Sequence, residues 1–303
     1  MSKNLQGIIW MLAGCLGSAI MFAIVRHITE SMNPYQALFL RNLFALFLFI
    51  PWVIKTGFKN SFKTGNLKLN MVRAVIGYVA MMFLFIAISE NVPLTTVTAI
   101  SFVAPIIAII MAMIILKEKS NVRKWIAVFL GFFGAMIVLR PGMEGFNSYA
   151  WLVFAATFLW GNVAVIIKII TRTDTATQVT YYMAVTMTIL AMPLAIIYWE
   201  NFSYDLIWWF IALGLVSNIF QIALSKAFSL AEISIVQPID FSRIIFIAII
   251  SYFAFGEVID GWTLIGSIII MSGVVYTAIY EARTRRRRKK RISKHEAALE
   301  AID

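Results

Sequence analysis

The chain has 303 residues, of which 61% are hydrophobic and only 14% are charged, and its formal net charge is +11. Soluble domains have about 45–50% apolar and about 25% charged residues, so the composition excludes a disordered protein, a collagen-like protein and most soluble enzymes. A single cysteine, Cys15, excludes a disulfide framework and a multi-cysteine metal site. His27 and His295 lie far apart in the sequence, and we therefore expect no metal site and no cofactor.

Apolar segments long enough to cross a bilayer recur along the whole chain, and a polar tail follows them. A membrane-spanning helix needs roughly 20 predominantly apolar residues. Turn or charge signals separate ten such segments, which are 5–25, 35–54, 70–89, 95–116, 123–139, 147–167, 177–198, 206–225, 233–255 and 261–280. The sequence therefore predicts an all-α integral membrane protein with ten transmembrane helices and short loops.

The basic residues are distributed unequally between alternate loops. Of the 26 lysines and arginines, 22 fall in one set of loops and ends, which includes Arg73 and Lys226, and only Arg26 and Arg140 fall in the other. Cytoplasmic loops of membrane proteins are rich in lysine and arginine, so both termini are predicted to be cytoplasmic. An even number of spans, such as ten, is required for that arrangement.

The tail, 282–303, contains the run RTRRRRKKRISK directly after the last span. We interpret this run as a stop-transfer and orientation signal that also contacts anionic lipid at the membrane surface. Nucleic-acid binding is the alternative for such a run, but we expect no nucleic-acid partner.

A shift of 139 residues brings similar residues of the two halves together. Leu116-Lys117-Glu118 then meets Phe255-Gly256-Glu257, and Gly134 meets Gly273. The shift predicts two five-helix repeats, 1–140 and 141–281. Because five is odd, the second repeat must insert upside down, and inverted repeats with a substrate site between them are typical of secondary transporters.

The sequence resembles the drug/metabolite transporter superfamily, and within it the EamA-type ten-helix transporters. The residues that carry this resemblance are Glu118 and Glu257 at span ends, the glycines at 131, 134, 266 and 273, Phe39-Leu40-Arg41, Ala227 to Ala231, and the segment Gln237-Pro238-Ile239-Asp240-Phe241-Ser242-Arg243. The resemblance implies transport of a small metabolite, with S-adenosylmethionine, riboflavin and amino-acid-like compounds as candidate cargoes.

Three charged residues lie clearly inside the predicted spans, away from their ends, where a charge costs about 2.5–3.5 kcal/mol on insertion scales. Asp240 and Arg243 are three residues apart, so their side chains can meet on one helix face. The arginines Arg41 and Arg243 would attract anionic groups of a cargo, and Asp240 would take a cationic group or a coupling proton. The alternatives are a structural Asp240–Arg243 pair and a bond from Arg41 to a neighbouring helix.

Other polar and aromatic side chains at membrane depth complete the candidate site. Asn218, Gln221 and Ser225 form one helical stripe that lines a cavity or makes helix–helix hydrogen bonds. Trp160 lies deeper than the usual interfacial belt and stacks on a planar cargo or serves packing. The predicted substrate-binding residues are Arg41, Trp160, Asn218, Gln221, Gln237, Asp240 and Arg243, and no residue is predicted to be catalytic.

No motif for ATP hydrolysis or for nucleophilic catalysis occurs in the sequence. We therefore expect a secondary transporter, not an enzyme, in the bacterial inner membrane. Its expected partners are a small-molecule cargo and the lipid bilayer, with protons as the candidate coupling ion. A membrane enzyme acting on lipid substrates and a non-transporting scaffold remain the alternatives. Glu118 and Glu257 are interpreted as helix-end anchors, and the small residues Ala127, Gly131 and Ala135 are interpreted as a helix-packing stripe.

Overall fold

The computed structural model describes residues 2–29, 32–90, 92, 100–118, 122–139, 148–201, 204–255, 261–262, 264–273, 275–276 and 279–280. The basic tail, Glu257 and Arg140 lie outside these residues, so the expectations about them stay predictions. Within the described ranges the chain is helical and forms no strand.

The helices follow the predicted spans closely. They are α1 Lys3–Thr29, α2 Pro34–Phe47, α3 Ile50–Thr56, α4 Phe58–Ser61, α5 Leu67–Ser89, α6 Ala104–Ile115, α7 Val122–Leu139, α8 Ala150–Ile170, α9 Ala176–Ile197, α10 Ile207–Leu230, α11 Ile233–Val236, α12 Arg243–Phe255 and α13 Leu264–Gly273. Among the described residues, seven helical stretches are long and apolar enough to cross a membrane. The three shorter apolar helices lie within the predicted spans 95–116, 123–139 and 261–280, and the number of ten spans stays a prediction.

Short sequence signals fix where the helices begin. The Asn33 side chain accepts a hydrogen bond from the Tyr35 N–H at 3.0 Å, and Pro34 occupies the first turn of α2, where its missing N–H costs nothing. At the start of α9, Thr175 and Gln178 form a capping box in which each side chain binds the other's backbone.

The predicted span 233–255 is not a continuous α-helix. It begins as α11, tightens into a 3₁₀ segment over Gln237–Ser242, and resumes as α12. Pro238 lies in the first turn of the 3₁₀ segment, where its ring removes a backbone donor and prevents a regular α-helical bond. This interruption places a stretch of irregular backbone, with its side chains, inside the bundle.

The helices pack in two similar sets. Helix α1 packs against α10 and α12, and α8 packs against α5 and α6. Helix α2 contacts α9, and this contact joins the two sets. In addition, α2 contacts α10, and α9 contacts α5. Exchanging α1 with α8, α2 with α9, α5 with α10 and α6 with α12 leaves this pattern unchanged, which is the pattern that two repeats would give.

Large apolar side chains cover the outside of the bundle. Ile54, Trp208 and Phe253 are among the many that are exposed. In water such a surface would aggregate, but in a bilayer it faces lipid tails. This surface and the seven apolar stretches together indicate a multi-pass membrane protein.

Several basic residues that the sequence analysis counted with loops and span ends lie in helices, and Lys226 and Arg73 are two of them. Lys226 belongs to α10, which continues five residues beyond the predicted span end, and its Nζ lies 4.2 Å from the centre of the Trp10 ring. Arg73 belongs to α5 and is completely buried. Both remain near the same end of the bundle, so the bias that predicts the orientation is unaffected.

Candidate functional site

The 3₁₀ segment carries an ion pair. The Arg243 Nη2 lies 3.1 Å from the Asp240 Oδ2, and the two side chains are 15% and 14% exposed. Aromatic rings flank the guanidinium, with the Phe102 ring centre at 5.6 Å and the Phe22 ring centre at 6.0 Å from its central carbon. The pair is neither fully enclosed nor freely hydrated, so the guanidinium retains donors that a ligand can use.

Two other residues of the 3₁₀ segment have buried polar atoms without partners. The buried Gln237 Oε1 and Ser242 Oγ have no hydrogen-bond partner within the described part of the chain. Helix α1 approaches from the other side, where the Cys15 Sγ lies 3.9 Å from the Asp240 Oδ1 and 3.7 Å from the Ile239 carbonyl oxygen. Buried polar atoms normally find partners, and these atoms are available to a bound molecule or to water.

Arg41 on α2 is the second buried cation of the site and is 3% exposed. Its Nε donates to the Ser217 Oγ at 3.0 Å, whereas its two terminal nitrogens face only the thioether sulfurs of Met21 at 3.6 Å and Met81 at 4.0 Å. No carboxylate among the described residues pairs with it. Because a thioether is a weak acceptor, most of the guanidinium's donor capacity is unused.

Trp160 on α8 lies between the surroundings of the two arginines. It packs against the buried cluster that contains Cys15 and Ile239, and also against the cluster that contains Met81. On α1, Met21 and Phe22 are consecutive, and they contact Arg41 and Arg243 respectively. Trp160 and the adjacent residues Met21 and Phe22 thus link the surroundings of Arg41 on α2 to those of the Asp240–Arg243 pair.

The stripe on α10 makes bonds between helices. The Asn218 Nδ2 donates to the Ala45 carbonyl oxygen of α2 at 2.8 Å, and the Gln221 Oε1 accepts from the Arg73 Nη2 at 3.0 Å. The buried Ser225 Oγ has no partner among the described residues. The structure thus gives two members of the stripe a helix–helix bond, and it joins the stripe to Arg41 only through Ser217, the residue next to Asn218.

Sequence reasoning did not single out Phe22, Phe102, Ser217 or Met81 as neighbours of the buried charges. These residues are apolar or common in membrane helices, and no spacing in the sequence marks them. Among the described residues, no group of three or more histidine, cysteine, aspartate or glutamate side chains could hold a metal ion.

The sequence profile of the EamA-like transporter family matches this chain twice, over residues 5–140 and 147–279. The chain belongs to the EamA-like transporter family. The resemblance seen in the sequence to this branch of the drug/metabolite transporter superfamily is thereby confirmed.

Curated relatives match almost the whole chain. A riboflavin transporter of Vibrio cholerae is 25% identical over 94% of this chain and 97% of its own length. An S-adenosylmethionine uptake transporter of Rickettsia prowazekii is 26% identical over 97% of both chains, and one of Rickettsia bellii is 27% identical over 89% of this chain and 92% of its own. The homologous proteins are thus named as transporters of small molecules.

A solved crystal structure shares the fold. It superimposes with a TM-score of 0.77 at 14% sequence identity and covers 93% of this chain and 98% of its own. At this identity the similarity concerns the fold alone.

Proposed function

We propose that this EamA-like protein is a secondary transporter of the bacterial inner membrane that moves a small polar metabolite by alternating access. The observation that carries the proposal is the ion pair between Asp240 and Arg243 on an interrupted helix inside the bundle. Interrupted helices at membrane depth are where secondary transporters bind substrates and coupling ions. A charge inside a membrane span without such a role would be an unexplained cost.

Contacts between the two predicted repeats support the alternating-access part of the proposal. At the end predicted to be cytoplasmic, Asp174 of the second repeat binds Thr64, Gly65 and Asn70 of the first. At the opposite end, the Gln36 amide exchanges hydrogen bonds with the backbone of Glu200. Each set of bonds is a contact that one of the two access states would have to break.

The residues around the ion pair suggest how a cargo would be held. Arg243 and Arg41 would bind anionic or carbonyl groups, Gln237 would accept a hydrogen bond, and Trp160 would stack on a planar part of the cargo. Asp240 would bind a cationic group or carry a coupling proton. Riboflavin, S-adenosylmethionine and amino-acid-like compounds are the candidate cargoes, the first two because similar proteins carry those names.

A binding screen followed by a transport assay tests the proposal. The purified protein is heated with a panel of metabolites that includes the candidate cargoes, because a ligand at 100 times its Kd stabilises the folded state by about 2.7 kcal/mol. Each stabilising compound is then offered in radiolabelled form to proteoliposomes with and without a proton gradient. We expect at least one compound to accumulate above the level of protein-free liposomes. Binding without any transport, or no stabilising compound at all, would contradict the proposal.

A further inference from the structure

Unsatisfied polar atoms in this structure occur at two places. In the described part of the chain, five buried side-chain atoms have no hydrogen-bond partner. Two of them, on Gln237 and Ser242, adjoin the Asp240–Arg243 pair described above. The other three are the Asn70 Oδ1 and the Arg73 Nε on α5 and the Ser225 Oγ on α10. These three residues and Gln221, which links α10 to Arg73, are called the Arg73 cluster, and the proposed function does not use it as a unit.

Arg73 is the centre of this cluster. It is 1% exposed, and its terminal nitrogens bind only neutral acceptors, the Val179 carbonyl oxygen at 2.9 Å and the Gln221 Oε1 at 3.0 Å. No described carboxylate forms an ion pair with it, and the buried Asp174 carboxylate binds the cluster at the Asn70 Nδ2 instead. A guanidinium has five N–H donors, and the buried Nε–H is one of those that remain unused.

Ser225 adds a second unused donor close by. It is four residues from Gln221 on α10, so the two side chains share one face of that helix about one turn apart. Because Gln221 binds the Arg73 Nη2, the Ser225 hydroxyl lies about one helical turn from the residue that holds the guanidinium. The hydroxyl is completely buried and has no acceptor.

A buried cation without a counter-charge is strongly destabilising, and a buried donor without an acceptor adds to that cost. We infer that the Arg73 cluster is an anion-binding site, in which a small anion or a carboxylate accepts hydrogen bonds from the Arg73 Nε–H and the Ser225 hydroxyl. Asn70, one turn from Arg73 on α5, then offers its free oxygen to a water molecule that hydrates the anion. The anion neutralises the guanidinium and lets α5, α9 and α10 pack around it.

The ligand could be a free inorganic anion or the carboxylate of an organic molecule. The full-length protein is unfolded by heat in detergent at equal ionic strength in sodium isethionate, sodium chloride or sodium acetate, where isethionate is a bulky sulfonate without a carboxylate. We expect chloride or acetate to raise the unfolding temperature by about 2 °C or more over isethionate, the size expected for a saturating ligand on a chain of this length. A rise in the unfolding temperature with chloride indicates a free inorganic anion. A rise with acetate alone indicates the carboxylate of an organic molecule.

Matched variants assign the effect to this site. The anion-dependent rise should be lost in Arg73→Gln, reduced in Ser225→Ala, and unchanged in Arg172→Gln, which removes an exposed arginine. The inference is overturned if all three salts give the same unfolding temperature, which would mean that water alone fills the site. An equal rise in Arg73→Gln and wild type would also overturn it.

Crystals of the wild-type protein in sodium bromide provide a test that needs no variant to fold. We expect an anomalous difference peak beside the Arg73 Nε and the Ser225 Oγ. The absence of a peak there would overturn the assignment of a free anion. A carboxylate site would then stand only if acetate raises the unfolding temperature in solution. These outcomes are independent of whether the protein transports any of the candidate cargoes.

Discussion

The Glu118 carboxylate accepts hydrogen bonds from both the backbone N–H and the hydroxyl of Ser234, at 3.3 and 3.2 Å. Its other oxygen accepts from the Ile233 N–H at 3.1 Å. These N–H groups belong to the first two residues of α11, so a residue that follows α6 caps the beginning of the interrupted span. The family resemblance marks Glu118 as a span-end residue, and the structure shows what this anchor binds.

Replacing Glu118 should therefore destabilise the protein. Glu118→Ala removes the acceptor that the Ile233 N–H and the Ser234 donors use, and we expect a loss of about 1–3 kcal/mol in the free energy of unfolding. Glu118→Gln keeps one oxygen and should cost less. Thermal or denaturant unfolding in detergent measures both, with Lys59→Ala as a control that removes only an exposed charge. An unfolding midpoint for Glu118→Ala equal to that of the control would show that the cap contributes nothing.

Asp174 should hold the loop before α5 in place. Its carboxylate accepts from the Thr64 hydroxyl, from the Gly65 N–H at 2.7 Å and from the Asn70 Nδ2 at 2.8 Å. In Asp174→Ala we expect amide hydrogen exchange over residues 62–70 to accelerate about tenfold or more, the equivalent of about 1.4 kcal/mol or more. Lys63→Ala is the control, because its backbone carbonyl still accepts from Gln178. Unchanged protection of this loop in Asp174→Ala would contradict the role.

Gly131 allows α7 to contact the 3₁₀ segment next to the ion pair. A Cβ atom at this position would lie 2.4 Å from the Phe241 Cδ2, so Gly131→Ala must displace the ring or the helix. We expect a loss of about 1–3 kcal/mol in stability and a weaker binding site. Gly17→Ala on α1 is the matched control, because its new Cβ would meet its nearest atom at an ordinary 3.5 Å. If both variants unfold and bind alike, the close contact has no role.

The two buried arginines should respond differently to lysine. Arg243→Lys keeps the charge but loses the planar set of donors, and we expect cargo affinity to fall by about 1.5–3 kcal/mol, which is roughly 10- to 150-fold. Arg41 makes one hydrogen bond to a neutral oxygen, that of Ser217. Arg41→Lys should therefore lower cargo affinity by only about 0.5–1.5 kcal/mol. Cargo titration of each monodisperse variant measures the difference. An affinity of Arg243→Lys equal to wild type would leave Arg243 as a partner of Asp240 only.

Much of the fold could be predicted because membrane crossing imposes a strong pattern on the sequence. Helices α1, α5, α8 and α9 begin and end within four residues of the predicted spans. Less could be predicted where local geometry decides. Pro238 indicated an interruption, but the proline alone does not say that six residues become a 3₁₀ segment, since that depends on the contacts of α1 and α7 with the segment.

The candidate site was predictable in its charges but not in their partners. Asp240 and Arg243 meet because their spacing of three residues places them on one face, and this contact is observed. Arg73 was counted with the loop charges because hydropathy cannot distinguish an arginine that reaches water from one that is buried. The bond from Asn218 to the Ala45 carbonyl likewise depends on how two distant helices pack, which one sequence does not reveal.

The central claim is that the ion pair of the interrupted span binds cargo and couples its movement, and Asp240→Asn tests it most directly. The measurement compares wild type and variant in proteoliposomes for two activities, accumulation of the bound cargo under a proton gradient and counterflow exchange without one. If Asp240 carries the coupling proton, the variant should lose accumulation and retain counterflow, because exchange needs no net proton movement. Accumulation and exchange that both match wild type in Asp240→Asn would contradict the account.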